Sequence, residues 1–248
     1  MQKSRRPNHP HPILEKLIMP LFDRCYVPSL VALFFVAATA LAQDQISDAE
    51  KRLFMSDHLK NISGPVTLAY HFTKAGSLEK GFEDDVLISI KPATTGPGKN
   101  CHVDFLTGER QFSAMPEMIE NATGNPVILA FLERDLTEMK RIARGQPNYY
   151  RKRIRMALAQ KAQAKAVTIK FAGKEIQGRE IVLTPFEDDP ARVRYEKFSN
   201  KSYTITLSDD IPGGVYKIRS VMHERSSKDA ATGKPMIEET LTFTEAKK

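Results

Sequence analysis

The hydrophobic residues of this sequence repeat with two different periods. Over 66–73 (VTLAYHFT), Val66, Leu68, Tyr70 and Phe72 fall on one side of an alternating pattern. Val86, Ile88 and Ile90 repeat it over 85–91, and Cys101, Val103 and Phe105 repeat it over 101–105. A period of two places alternate side chains on opposite faces of a strand, so these segments read as half-buried strands. The residues 92–100 (PATTGPGKN) between the second and third read as a loop. Beyond Asn125-Pro126 the period changes. Ile128, Phe131, Leu132, Leu136, Met139, Ile142 and Ala143 recur at helical spacing up to Gly145, and Tyr150, Ile154, Ala157 and Leu158 do so after Pro147, over 148–161. Asn before Pro is a helix start, the first as a cap and the second in the first turn. Alternation then returns in Val167, Ile169 and Phe171 up to Gly173-Lys174, and in Ile181 and Leu183 before Pro185. It continues in Tyr203, Ile205 and Leu207 before the turn Pro212-Gly213-Gly214, in Tyr216 and Ile218, and in Ile237, Leu241 and Phe243.

The N-terminus obeys neither period. Residues 27–43 read VPSLVALFFVAATALAQ, and the uncharged run 30–38 is too short to span a bilayer. It follows Arg5, Arg6, Lys16 and Arg24 and ends in Ala40-Leu41-Ala42. Basic residues, a short apolar run and small residues at the cleavage positions predict a secretory signal over 1–42, with Met19 an alternative start. The mature chain then begins at Gln43 and keeps no permanent transmembrane segment. Of 37 basic and 30 acidic residues, 5 and 2 precede Gln43, so the mature net charge is +4, against +7 for the whole chain. That balance argues against nucleic acid as a partner. One cysteine, Cys101, remains, so no intramolecular disulfide forms and the fold rests on its own core.

Between the signal and the first strand, 46–62 reads as a helix, with Ser47 and Glu50 spaced as a capping box and Leu53, Phe54, His58 and Leu59 on one side. Ser226 to Lys234 reads as a polar loop. The order is helix, three strands, two helices and about five strands, joined mostly by short turns. It predicts an α+β fold: a curved, mostly antiparallel sheet, as an open half-barrel or sandwich-like, with an N-terminal helix and a helical pair inserted at about 125–161. No linker divides 43–248, so it reads as a single domain. This order resembles the periplasmic lipoprotein-carrier superfamily, and exported bacterial proteins more broadly. The resemblance covers the mature chain and transfers no residue. It implies a half-barrel that wraps helices and holds acyl chains.

Charge is the strongest local anomaly. Eleven Lys or Arg and no Asp or Glu lie between Met139 and Lys174, seven of them within 140–155. In a tight helix–turn–helix, Arg141, Arg144, Arg151, Arg153 and Arg155 would converge near the turn, and guanidinium groups suit phosphate or carboxylate. The alternative is a solvated face whose charges pair with acids such as Glu187 to Asp189. Asp135 lies on the apolar stripe between Leu132 and Met139, where a carboxylate is expected to form a structural ion pair with an arginine of the second helix, or to take a cluster of backbone donors. Cys101, His102, His71 and Asp104 suggest a thiol nucleophile, but neighbours on a strand face apart, and Cys101 shares a face with Val103 and Phe105. The acid pairs Asp84-Asp85, Asp188-Asp189 and Asp209-Asp210 lack calcium-loop spacing, and His58, His71, His102 and His223 lack metal spacing. No motif calls for a metal or a cofactor.

The leading expectation is therefore an exported, periplasmic or secreted, non-catalytic binding protein for a lipid, another amphiphile or an anionic head group. The alternatives are a hydrolase using Asp135 or Cys101, and an interaction module that binds another envelope protein.

Overall fold

The structure, a computed structural model, describes residues 46–191, 200–223 and 235–248. The expected signal and the whole of the expected 226–234 loop lie outside the described residues. Residues from Asp44 to Lys248 form one compact unit. Its strands are β1 (Val66–Ala75), β2 (Phe82–Pro92), β3 (Lys99–Phe105), β4 (Ile119–Ala122), β5 (Gln163–Phe171), β6 (Lys174–Leu183), β7 (Ser202–Leu207), β8 (Val215–Met222) and β9 (Ile237–Lys247). Helices α2 (Val127–Ala143) and α3 (Pro147–Gln160) lie between β4 and β5. The sheet is open and antiparallel throughout, in the order β4-β3-β2-β1-β9-β8-β7-β6-β5. The α+β half-barrel is thus built as expected, with the first and last strands paired near its middle.

Two elements differ from the reading of the sequence. The N-terminal helix is short: α1 (Asp48–Glu50) runs into a π-wound turn at Lys51–Met55 and stops. The Ser47–Glu50 capping box is present. The end comes early because side chains take the helix carbonyls. Ser56 Oγ donates to Lys51 O at 3.1 Å, and His58 Nε2 to Arg52 O at 2.6 Å, while Ser56 itself is extended. The second difference is β4, which the sequence reading passes over. It has four residues at the sheet edge and no alternation of its own, Glu120 and Asn121 both being exposed.

Registered pairing lays the inner face of the sheet out in cross-strand rows. One row runs Ile181, Ile205, Ile218, Leu241, Phe72, and all five are buried. The adjacent row runs Leu183, Tyr203, Ser220, Glu239, Lys74, Phe82. Four of its six members are polar, and it lies under α2. Against the apolar rows, α2 packs Ile128, Phe131, Leu132, Leu136 and Met139. Phe131 meets Phe72 and Phe105, each at 6.5 Å between ring centres, in tilted and edge-on geometry.

The start of α2 is tied into this core. Asn125 Oδ1 accepts from the Val127 amide at 3.0 Å, and its Nδ2 donates to the Tyr70 hydroxyl and to Gly213 O. Gly213 has φ +76°, and a Cβ there would lie 2.4 Å from Leu68 and 2.9 Å from the Asn125 amide, so no side chain fits. The Pro212–Gly214 segment is therefore not a tight hairpin. It belongs to a seven-residue loop between β7 and β8 that Asn61 also holds, by hydrogen bonds to Asp209 O, Ile211 O and Gly213 N.

Candidate ligand-binding surface

The turn between the helices is built from Arg144 to Pro147. Arg144, not Gly145, closes α2 in the left-handed region at φ 55°, its N–H reaching Lys140 O at 3.0 Å. A Cβ on Gly145 would fall on the Tyr150 hydroxyl, so glycine here lets the buried Tyr150 close against the turn. Tyr150 meets Phe186 edge-on at 5.7 Å and, with Ile154, Ala157 and Leu158, fixes the inner side of α3. Pro147 stands at the first position of α3, as its missing N–H allows.

The five arginines do not converge on this turn. Arg141 reaches back to Glu79 at 2.6 Å and to Glu138 at 2.9 Å. Arg151 grips Glu133 on α2 with two bonds of 2.9 and 2.6 Å and also touches Asn148. Arg153 turns to the loop after β6, where it meets Asp189 at 3.2 Å and donates to Pro185 O. Asp189 also accepts from the Tyr149 hydroxyl, and Lys161 pairs with Asp188. The side chains of Arg144 and Arg155 are exposed and have no ion-pair or hydrogen-bond partner among the described residues, and neither has that of Lys152.

Two of those side chains, Lys152 and Arg155, do meet a groove. Arg151, Lys152 and Arg155 line an open groove of about 660 Å³ between α3 and the start of α1, with Ile46, Met156 and Glu50. Ile46 is 46% exposed. Ser47 Oγ donates to Leu158 O at 2.9 Å and fixes the groove's second wall to α3. Cations and apolar side chains thus line one groove, and Lys and Arg stems can cover apolar surface while their heads stay wet.

The charges on α2 face the other way. Asp135 is 1% exposed and accepts from Lys201 Nζ at 2.5 Å and from the Tyr203 hydroxyl at 2.6 Å. Its partners come from the start of β7 and not from an arginine of α3. Burial, with the Asp135 charge beside it, pushes the Tyr203 phenol well above its ordinary value, which keeps it a donor. Next along α2, Arg134 donates to Glu239 at 2.9 Å and lies 4.8 Å over the Phe72 ring. Lys74 is buried against Glu79 and Glu138 at 2.8 and 2.9 Å, with Glu239 at 3.7 Å. Burial opposes the charge on Glu138, but its bonds from Arg141 and Lys74 overcome this and hold it at about 2. The sequence reading names neither Lys74, Arg134, Glu138, Lys201 nor Glu239. A signal was present: Lys74 and Glu239 stand in phase with Tyr70 and Phe72 and with Leu241 and Phe243, so alternation alone points both inward.

Cys101 is fully buried, and burial pushes its thiol up to about 11, opposite to what a nucleophile needs. His102 faces away from it, bonded to Glu117 O at 2.5 Å and Asp104 at 3.0 Å. Among the described residues no three His, Cys, Asp or Glu side chains are placed to hold a metal, and no helix is long and apolar enough to cross a membrane.

No family model and no curated protein sequence matches the chain. Among solved structures it is similar to the Mycobacterium tuberculosis lipoprotein LppX, with a TM-score of 0.34 and 10% identity over 82% of this chain and 97% of that one. It is also similar to a LolA superfamily protein of Nitrosomonas europaea, with a TM-score of 0.24 and 8% identity over 80% and 92%.

Proposed function

We propose that this chain is an exported, non-catalytic binding protein that engages an anionic amphiphile through the outer side of α3. The observation that carries this reading is the groove between α3 and α1, where Lys152 and Arg155 form no ion pair among the described residues and share the lining with Ile46, Met156 and Glu50. A head group would meet the cations and the first carbons of its tail would meet the apolar floor. Arg151 contributes its charge while holding Glu133, and Arg144 extends the basic surface around the turn. The non-catalytic reading is supported by the state of the two groups considered for hydrolysis: Asp135 is sealed beneath α2 with Lys201 and Tyr203, and Cys101 is an inert core thiol.

Export rests on the signal read over 1–42, and N-terminal sequencing of protein from the culture envelope should begin at Gln43. Binding is tested by co-sedimentation with anionic and with neutral vesicles at low and high salt. The expected result is binding to anionic vesicles only, weakening as salt screens charges over about 8–10 Å, and lost in the Lys152→Gln/Arg155→Gln double variant. Equal binding to both vesicle types overturns the head-group reading.

A further inference from the structure

A second cleft, which shares no lining residue with this groove, lies between α2, the end of β1, the start of β2 and the 3-10 turn Gly108–Arg110. Its volume is about 260 Å³, just below the ~300–1,000 Å³ of pockets for drug-sized ligands. Phe82, Leu106 and Phe112 give it apolar walls, and Arg110 and Arg134 enter it. Arg134 is 8% exposed. One face of its guanidinium covers Phe72, and one N–H holds Glu239. Its remaining side-chain donors have no protein partner among the described residues and are not sealed in the interior. Arg110 lies 4.7 Å over the Phe82 ring and 4.0 Å from Asp84, an ion pair without a hydrogen bond. The other charged groups present are accounted for. Glu138 is held by Lys74 and Arg141, and Lys74 by Glu79 and Glu138, which leaves Glu109 on the rim as the only cleft carboxylate without a partner among the described residues.

We infer that this cleft binds a small oxyanion carried on an apolar body, a carboxylate or a phosphate ester, clamped between Arg110 and Arg134. Two guanidiniums stacked on rings are oriented before the ligand arrives, and each can offer two parallel donors to an oxyanion. Arg134 is the stronger arm because it is buried and held by Glu239, while Arg110 closes the open side.

The test uses the full folded chain, with benzoate, phenyl phosphate and inorganic phosphate as probes, titrated and followed by protein NMR. Benzoate or phenyl phosphate should shift the signals around Phe82, Phe112 and Arg134, and the two together show which oxyanion is preferred. Inorganic phosphate should bind at least about tenfold more weakly, since it lacks the apolar body. Arg110→Gln should weaken the aryl probes about tenfold or more with an unchanged melting temperature, and Glu109→Gln should strengthen them. The Lys152→Gln/Arg155→Gln variant should bind them as the parent does, which separates this cleft from the α3 groove. Absence of binding by both aryl probes, or parent-like binding by Arg110→Gln, overturns the proposal.

Discussion

Helix α2 turns Arg134, Asp135 and Glu138 toward the sheet, whereas α3 turns Lys152 and Arg155 toward water. Each of these three α2 charges meets an opposite charge from the sheet side, Glu239 of β9, Lys201 just before β7 and Lys74 of β1, and Asp135, Arg134 and Glu239 are almost fully enclosed, while Lys140 on the outer side of the same helix is exposed and forms no ion pair among the described residues. On α3 the acids within reach are few. Glu133 answers Arg151 and Asp189 answers Arg153, and Lys152 and Arg155 stay open. Charge density in the sequence is therefore a poor guide to role. What decides is whether the surface under the helix supplies counter-charges: the polar row of the sheet does so for α2, and nothing equivalent lies outside α3.

The sharpest way to break this contrast is Asp135→Ala. It strands the Lys201 ammonium in a buried site and should cost about 3–5 kcal/mol of stability, read by denaturant unfolding. A loss under about 1 kcal/mol would put the two helices on the same footing. The next effect is a pH dependence. Glu138 is held at about 2 when folded, against an ordinary value of 4.5, so its contribution is fully present above pH 4.5 and is lost as pH falls toward 2. Acid should therefore lower stability by an amount on the order of 1–3 kcal/mol through this group, and Glu138→Gln should flatten the profile in that window. Cys101→Ser should cost about 1–2 kcal/mol by placing a hydroxyl in an apolar site, seen as a lower melting temperature without loss of vesicle binding. The smallest stability effect belongs to the open face. Lys152→Gln with Arg155→Gln should change stability by no more than about 0.5 kcal/mol while abolishing anionic-vesicle binding.

The alternation at Val66 to Phe72 and the helical stripe from Ile128 to Met139 are local patterns, and both elements can be read from the sequence because each is determined within a few residues. Asp135 is legible as an anomaly for the same reason. Its partner is not, because Lys201 lies 66 residues away at the start of a strand and nothing local marks it. The expected convergence of Arg141, Arg144, Arg151, Arg153 and Arg155 fails for a related reason. Side-chain destinations depend on Glu79, Glu133 and Asp189, which come from three different places in the chain. The groove beside α3 is equally hidden, since its second wall, Ile46 with Glu50, joins α3 only through the fold. The short α1 escapes prediction because Ser56 and His58 compete for backbone carbonyls over five or six residues, a contest that periodicity does not register.

The pairing of β1 with β9 has a consequence for the order of assembly. Strands β1 to β4 can zip together as neighbours soon after synthesis, and β5 to β9 can do the same. The seam that joins the two halves brings Thr244 against Ala69 across 175 residues of sequence. Closing so long a loop is entropically costly and slow relative to local pairing. The complete nine-stranded sheet, and with it the polar row that receives α2, cannot exist until the last strand has been made. Local pairing within each half can therefore run ahead of the seam, and the seat of α2 is the last part of the sheet to be completed.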